Sequence, residues 1–183
     1  MYKFGGVDDE VEREYLYDHV WELDSTTDAD RLVIAPKYGH VELLQELTAE
    51  WTGSFGLLYV LLMPRTNNVA GRYQSPEPMD REGINTFLET FVSFLETDGR
   101  HHLWIGSSDD DGTLVYDQHN VIFAYGDLAH YKTVLAEHGL REGATRFPFP
   151  HSHKFHQEND AQEQKLVDYC AWLWSELQDG DEY

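Results

Sequence analysis

The sequence predicts an α+β fold, with residues 1–183 in a single domain and one mixed β-sheet of about five to six strands packed by about four helices. Short apolar runs alternate with segments whose apolar residues recur at helical spacing. The chain has 183 residues, enough to bury one sizeable core but few for two. No internal repeat or break in composition marks a second domain.

The first half of the chain predicts a strand, a helix and a strand at the centre of the sheet. Residues 31–36 are a short apolar run that stops at Pro36, and residues 55–64 are apolar on both faces, as an interior strand is. The helix between them is indicated by apolar residues at helical spacing: Val41, Leu44, Leu47 and Trp51. Residues 1–30 mix aromatic and acidic residues without a clean period, so we expect an N-terminal arm that adds at most an edge strand.

The second half predicts a long loop, three strands and three helices. Residues 65–79 are rich in Asn, Gly and Pro and predict one loop. Asp80 is a helix cap, and the helix after it has an apolar face of Ile84, Phe87, Leu88, Phe91 and Leu95. Residues 101–126 hold three strand patterns, and a shorter helix follows near 128–135. A capping pattern at Asp160 and Glu163 predicts a final helix that runs to about Leu177.

The charge balance is the most unusual bulk property. Asp and Glu number 34 against 13 Lys and Arg, for a formal net charge of −21. Such a surface repels phosphate backbones and anionic lipid headgroups, which excludes nucleic acid and membranes as expected partners. A solvated surface that keeps the protein soluble accounts for the acids; a basic protein partner and a high-salt habitat are the two sharper interpretations.

The segment "FPFPHSHKFHQE" at 147–158 carries the strongest sign of chemistry. Alternate residues of an extended chain share a face, so His151 and His153 point the same way and can bind one metal ion. Pro148 and Pro150 place the segment on a sheet edge or outside a sheet. Partly buried, hydrogen-bonded histidines that pack on aromatic residues are the alternative, and it is the interpretation we favour, because a zinc site needs a third ligand. The candidates are His156, His101, His102, His119, Glu158 and Asp160.

Two further histidine groups have structural interpretations that we favour over chemistry, and for His101 and His102 this is the start of a strand. His101 and His102 point to opposite faces of a strand, so only one of them can join a given site. Asp117 and His119 stand two residues apart, close enough for the carboxylate to orient the imidazole as general-base catalysis requires. The residues around them are also good turn chemistry between two strands, which is the interpretation we favour.

The 65–79 loop is the candidate surface for a partner. Arg65, Arg72 and Tyr73 give it cationic and aromatic character that is rare in so acidic a chain. A basic-protein contact or a small anion site is one expectation for this loop, and a disordered surface excursion is the other.

Several common chemistries have no support in the sequence. It contains none of the glycine-rich dinucleotide or P-loop motifs, no nucleophile elbow, no His-Glu-x-x-His and no Cys-x-x-Cys. Cys170 is the single cysteine, which rules out an intramolecular disulfide. The first residues lack the pattern of a signal peptide and no apolar run reaches the length of a membrane span, so we expect a cytoplasmic protein.

Three functional hypotheses follow from these observations. The first is a non-catalytic, acidic interaction module that binds a basic protein partner and has no cofactor; in general type, a small acidic α+β domain is similar to bacterial immunity and adaptor proteins. The second is a metal-dependent hydrolase that holds zinc on His151 and His153, completed by His156, His101 or His119. The third is a homodimer formed through exposed aromatic residues.

Overall fold

The computed structural model describes residues 1–8, 10–27 and 29–181. Within these ranges the chain forms twelve strands and four α-helices. The strands are β1 (Phe4–Asp8), β2 (Val11–Glu14), β3 (Val20–Ser25), β4 (Asp30–Ala35), β5 (Phe55–Leu61), β6 (Gly71–Gln74), β7 (His101–Ser107), β8 (Thr113–Tyr116), β9 (Ile122–Tyr125), β10 (Arg141–Glu142), β11 (His151–His153) and β12 (Leu173–Ser175). The helices are α1 (His40–Leu47), α2 (Arg81–Thr97), α3 (Leu128–Glu137) and α4 (Asp160–Val167).

The described strands form two sheets, so the prediction of one sheet with five to six strands is wrong. The large sheet has nine strands in the order β10-β3-β4-β9-β8-β7-β5-β6-β12, and its neighbours are antiparallel except for β10 and β3. The small sheet has the order β11-β1-β2. The missed strands have two to six residues each, and β2, β10 and β12 lie at sheet edges. In such short strands the pairing partner rather than the local hydrophobic period determines the structure.

Two segments that the sequence placed outside the sheets contribute strands. Residues 1–30 include β1, which is the centre of the small sheet, and β3, which pairs with β4 over six residues. The predicted loop at 65–79 contains β6, which pairs with β5 on one side and β12 on the other. Neither an arm nor a single long loop therefore describes these segments.

The final helix is shorter than predicted. It ends at Val167, and Leu173 and Trp174 lie in β12 beside β6 instead of on a helix. The expected capping pair is also absent among the described residues: Asp160 lies within the helix, and Glu163 accepts hydrogen bonds from Thr66 and Asn68. Side chains of the 65–79 segment thus occupy the Glu163 carboxylate that a capping box would turn towards the start of the helix.

The two faces of the large sheet have different coverings. Leu32 and Ile34 of β4 face the main core with the helices, where the predicted apolar face of α2 is confirmed as buried. The intervening Val33 and Ala35 face a second cluster that includes Phe4 of the small sheet. The small sheet therefore lies on the side of the large sheet away from the helices. No described helix is both long and apolar enough to cross a membrane.

Candidate metal centre

Three histidines meet where the small sheet contacts the large one. His151 and His153 come from β11, and His119 comes from the turn between β8 and β9. We call these three residues the histidine cluster. One ring nitrogen from each lies within 4.8 Å of the others. The sequence predicted that His151 and His153 share a site. It offered His119 only as one of several candidates for the third ligand.

The pairing of β11 with β1 places His151 and His153 on one face. His153 lies opposite Phe4 and His151 lies opposite Gly6. A side chain at Gly6 would put its Cβ 3.0 Å from the Cβ of Pro148, so glycine allows the proline-rich segment to approach β1 closely. The fully buried Phe4 ring then contacts both imidazoles, with centroid separations of 5.4 Å to His151 and 5.7 Å to His153.

His119 is held in the cluster by the turn predicted from its neighbours. Asp117 Oδ1 accepts hydrogen bonds from the backbone N–H groups of His119 and Val121, at 2.9 and 3.0 Å. The Tyr17 hydroxyl donates to the His119 carbonyl at 3.0 Å. The Phe4 ring contacts this third imidazole edge-on at 5.3 Å. Asp117 therefore stabilises the turn and also orients the His119 imidazole.

The three rings are close to one another and differ in orientation. The His119 centroid lies 4.7 Å from that of His153 and 5.5 Å from that of His151, and both pairs of rings are close to perpendicular. Tetrahedral zinc with Zn–N bonds of about 2.0–2.1 Å separates its nitrogen ligands by about 3.3 Å. Small side-chain movements from the present arrangement would therefore allow all three imidazoles to bind one ion.

Hydrogen bonds fix which nitrogens accept. His119 Nδ1 lies 2.7 Å from Asp117 Oδ2 and His151 Nδ1 lies 3.2 Å from the Pro148 carbonyl. An ionised carboxylate and a carbonyl only accept, so both Nδ1 atoms donate and the lone pair of each ring is on Nε2. His153 Nε2 is buried with no hydrogen-bond partner among the described residues. A buried, unpaired imidazole nitrogen is costly unless an ion or water satisfies it.

Burial and charge give His153 and Asp117 the protonation states that a metal site requires. Burial, together with the neighbouring His119 and His151, lowers the pKa of His153 to about 4. Burial by itself would raise the pKa of Asp117, but the hydrogen bond and charge of His119 hold that pKa below its usual value. His153 is thus neutral and Asp117 is ionised at neutral pH, as in carboxylate–histidine–metal arrangements.

A pocket of about 370 Å³ opens beside the cluster. Its lining combines two of the cluster imidazoles with aromatic walls, one carboxylate and one cation: Arg31, Asp117, His119, Phe123, Phe147 and His151. The sequence reasoning missed Arg31 and Phe123. The available signal was the alternation along 31–35, which puts Arg31 on the same face of β4 as Val33 and Ala35.

The other predicted metal ligands lie outside the histidine cluster. His156 Nε2 is 2.8 Å from the Tyr2 carbonyl. His101 is fully buried on β7, with its ring 4.7 Å from that of Phe94. Asp160 accepts from Arg65 and Arg100. Among the described residues, the structure therefore brings no fourth predicted ligand to the cluster.

The three loop residues predicted to contact a partner make contacts within the chain. Arg65 bonds Asp160 at 3.1 Å, and Arg72 bonds Asp181 at 2.7 Å. Tyr73 is buried, and its hydroxyl donates to the Val69 carbonyl. These contacts hold the loop against the rest of the protein, and a partner-binding role for it stays a prediction.

Comparison with known proteins adds no assignment. No family model, no curated protein and no solved structure matches this chain. The geometry of the histidine cluster and its pocket is therefore the basis for a functional proposal.

Proposed function

We propose that the protein is a zinc-dependent hydrolase whose metal ion is bound by His119, His151 and His153. The observation that carries the proposal is the convergence of the three imidazoles, one ring nitrogen of each within 4.8 Å of the others. The ionised Asp117 behind His119 supports it, because metal-binding histidines usually donate their other N–H to such a group.

The number of ligands favours a catalytic ion over a structural one. Structural zinc sites usually have four protein ligands, whereas catalytic sites have three and keep the fourth position for water or substrate. The histidine cluster supplies three among the described residues. The pocket lined by His119 and His151 gives the fourth position a place that water and a small molecule can reach.

The ligand set also favours zinc over redox-active iron. The common non-haem iron site combines two histidines with one carboxylate. Here the nearest carboxylate, that of Asp117, bonds His119 and two backbone N–H groups and is not one of the three converging groups. Three neutral imidazoles suit zinc and leave its charge uncompensated, which is what lowers the pKa of a bound water to about 7.

Ester or amide hydrolysis is the reaction that such a centre supports. The water oxygen forms a bond to the carbonyl carbon, and the bond from that carbon to the leaving oxygen or nitrogen breaks. One water proton goes to the leaving group through solvent at the open side of the pocket, and the acid product keeps the other until it ionises. The aromatic walls Phe123 and Phe147 favour substrates with an apolar part next to the scissile bond.

The test is hydrolysis of 4-nitrophenyl acetate by protein that has been stripped of metal and then loaded with zinc. We expect the rate above buffer to follow zinc occupancy and to disappear in His151→Ala. His138→Ala removes an exposed histidine away from the cluster and is the matched control, which should keep the full rate. A rate that is unchanged by zinc removal, or equal in His151→Ala and wild type, would overturn the proposal.

The predictions from charge and composition are separate proposals. A basic partner attracted by the net charge of −21 would bind less tightly as salt rises. A homodimer would be detected by sizing chromatography at two salt concentrations. A cytoplasmic location is likewise proposed, because a chain with a single cysteine has no intramolecular disulfide to form.

A further inference from the structure

We infer that the substrate is a small aromatic ester or amide that also bears a carboxylate, and that Arg31 binds this carboxylate. The inference rests on the proposed function, because it names the substrate class of the same pocket. Arg31 lies on β4 and lines the pocket together with His119 and His151. The pocket therefore offers a cation for binding in addition to the metal centre for reaction.

Three neighbouring side chains hold Arg31 in an orientation that suits ligand binding. Its Nε donates to Asp24 at 2.8 Å and its Nη1 donates to the Tyr125 hydroxyl at 2.8 Å. The guanidinium lies over the Phe123 ring, 4.5 Å from its centroid. These three contacts restrict the side chain, so little conformational freedom is left to lose when a ligand binds.

The guanidinium also keeps donors for a ligand. Within the described part of the chain, Arg31 Nη2 has no hydrogen-bond partner. The pairing with Asp24 uses only Nε, and the Asp24 side chain is 39% exposed, so water screens that charge. A carboxylate of the substrate can therefore accept from Nη2 while both existing bonds persist.

The walls of the pocket suit an aromatic ring. Phe123 and Phe147 provide two rings, and Phe147 stands edge-on to His119 at 5.5 Å. Aromatic rings prefer offset-stacked or edge-to-face neighbours at such separations. A volume of about 370 Å³ is at the lower end of the range for small-molecule sites. Both observations point to a ligand of about one ring with short substituents.

A bound divalent ion would let the pocket attract an anion although the whole chain repels one. Among the lining residues that the structure describes, Arg31 is the one Lys or Arg side chain and Asp117 is the one carboxylate, hydrogen-bonded to His119. Imidazole ligands carry no negative charge, so the charge of a divalent ion held by the histidine cluster would stay largely uncompensated. With the ion bound, an anionic group would be favoured inside the pocket and repelled by the acidic surface around it, since the net charge of the chain is −21.

The experiment uses zinc-loaded protein and two sulfonamides, since a sulfonamide nitrogen binds zinc and leaves the ring to occupy the pocket. Affinities for benzenesulfonamide and 4-carboxybenzenesulfonamide are measured by calorimetry. We expect the carboxylate to improve affinity about tenfold in wild type, as one charge-assisted hydrogen-bonded pair does. The improvement should vanish in Arg31→Gln, survive in part in Arg31→Lys and remain complete in Lys165→Gln, which removes an exposed charge on α4.

A second arm is independent of the metal. Benzoate and benzyl alcohol are added to metal-free protein, and binding is followed by broadening of their proton resonances. We expect benzoate to be broadened by wild type and by Lys165→Gln but not by Arg31→Gln. Equal broadening by Arg31→Gln, or an equal carboxylate gain for the sulfonamides in that variant, would overturn the role of Arg31. Failure of the protein to take up zinc would instead overturn the proposed function. The benzoate result would still decide whether Arg31 binds a carboxylate.

Discussion

Two buried polar groups of this protein differ in whether their hydrogen-bonding capacity is used. The first, which we call the arginine cluster, consists of Arg100, Asp98 and Glu163, whose side chains are all fully buried. Arg100 donates to both oxygens of Asp98 at 2.7 and 2.8 Å, and it also donates to Glu163 and to the His156 carbonyl. Its charge and its donors are satisfied from within the chain.

The histidine cluster is the opposite case. One ring nitrogen from each of its members lies within 4.8 Å of the others, and the buried His153 Nε2 has no hydrogen-bond partner among the described residues. A buried group whose donors and charges are all paired within the chain needs no ligand and contributes to the fold. Neighbouring acceptors that have no donor need a cation. Burial alone does not make this distinction, since His101 is more buried than any member of the histidine cluster and faces aromatic rings.

The largest expected effect comes from the arginine cluster. Arg100→Met leaves the buried carboxylates of Asp98 and Glu163 without their counter-ion, which should cost about 3–5 kcal/mol of unfolding free energy. Urea denaturation of the metal-free protein measures it. The matched control is Arg65→Met, whose ion pair with Asp160 is partly exposed, and which should cost at most about 1 kcal/mol. Similar losses of unfolding free energy in the two variants would mean that the arginine cluster stabilises the fold no more than a partly exposed ion pair does.

The next largest effect concerns zinc rather than stability. His153→Ala removes one of three ligands, and we expect zinc affinity to fall by more than about 100-fold, beyond the usual effect of removing a residue that only orients a ligand. Zinc at 100 times its Kd should raise the unfolding free energy of wild type by about 2.7 kcal/mol. It should do so equally for His138→Ala and by less than about 0.4 kcal/mol for His153→Ala at the same zinc concentration. If zinc stabilised wild type and both variants equally, the histidine cluster would not be the zinc site, and its contrast with the arginine cluster would fail.

A smaller effect is expected behind the metal ligand. Asp117→Asn keeps an acceptor for His119 but removes the negative charge that supports it, so zinc affinity should fall by about 10- to 100-fold. A fluorescent chelator in competition measures the change. Glu158→Gln removes an exposed carboxylate that the sequence offered as a candidate ligand, and it should leave affinity unchanged. If the two variants bound zinc alike, Asp117 would have only its role in the turn.

At neutral pH the smallest effect is expected for His40, a buried histidine that is not part of a converging group, and the effect grows only in acid. Burial lowers the pKa of His40 to about 3, helped by the charge of Lys3, and its ring stacks on Tyr116. Below its ordinary pKa of about 6.5 the unfolded state binds a proton that the folded state refuses. The free energy of unfolding should therefore decrease as pH falls from about 6.5 towards 3, by at most about 1.4 kcal/mol per pH unit for this one proton.

The variant His40→Phe should make that decrease less steep, because phenylalanine stacks on Tyr116 without titrating. His138→Gln, at an exposed position, should leave it unchanged. Chemical denaturation at a series of pH values measures both. An unchanged pH dependence in His40→Phe would show that this imidazole is already protonated in the fold.

Part of the histidine cluster could be predicted from the sequence because it depends on local geometry. Alternation along an extended chain puts His151 and His153 on one face, and the structure places them so. The third member could not be singled out. His119 meets the other two only because β1 pairs with β11 and Phe4 packs beneath all three rings. No spacing along the chain encodes that contact.

The fold shows the same limit. The apolar face of α2 follows from a 3.6-residue period, and it is confirmed residue by residue. Strand β12 was mistaken for helix because Leu173 and Trp174 continue the helical spacing of α4, whereas their pairing with β6 decides the structure. Strand β2 has all four side chains exposed and so carries no hydrophobic signal at all. Long-range pairing, which local pattern does not contain, fixed the size of both sheets.

The central claim is that the histidine cluster binds one metal ion through three imidazoles. The most direct measurement is a calorimetric zinc titration of metal-free wild type and of His151→Ala/His153→Ala, with X-ray absorption on the loaded wild type. The account predicts one zinc per chain in wild type, three imidazole nitrogens at about 2.0–2.1 Å, and no binding at this site in the double variant. A wild type that takes up no zinc, or a double variant that binds it as tightly, would contradict the account.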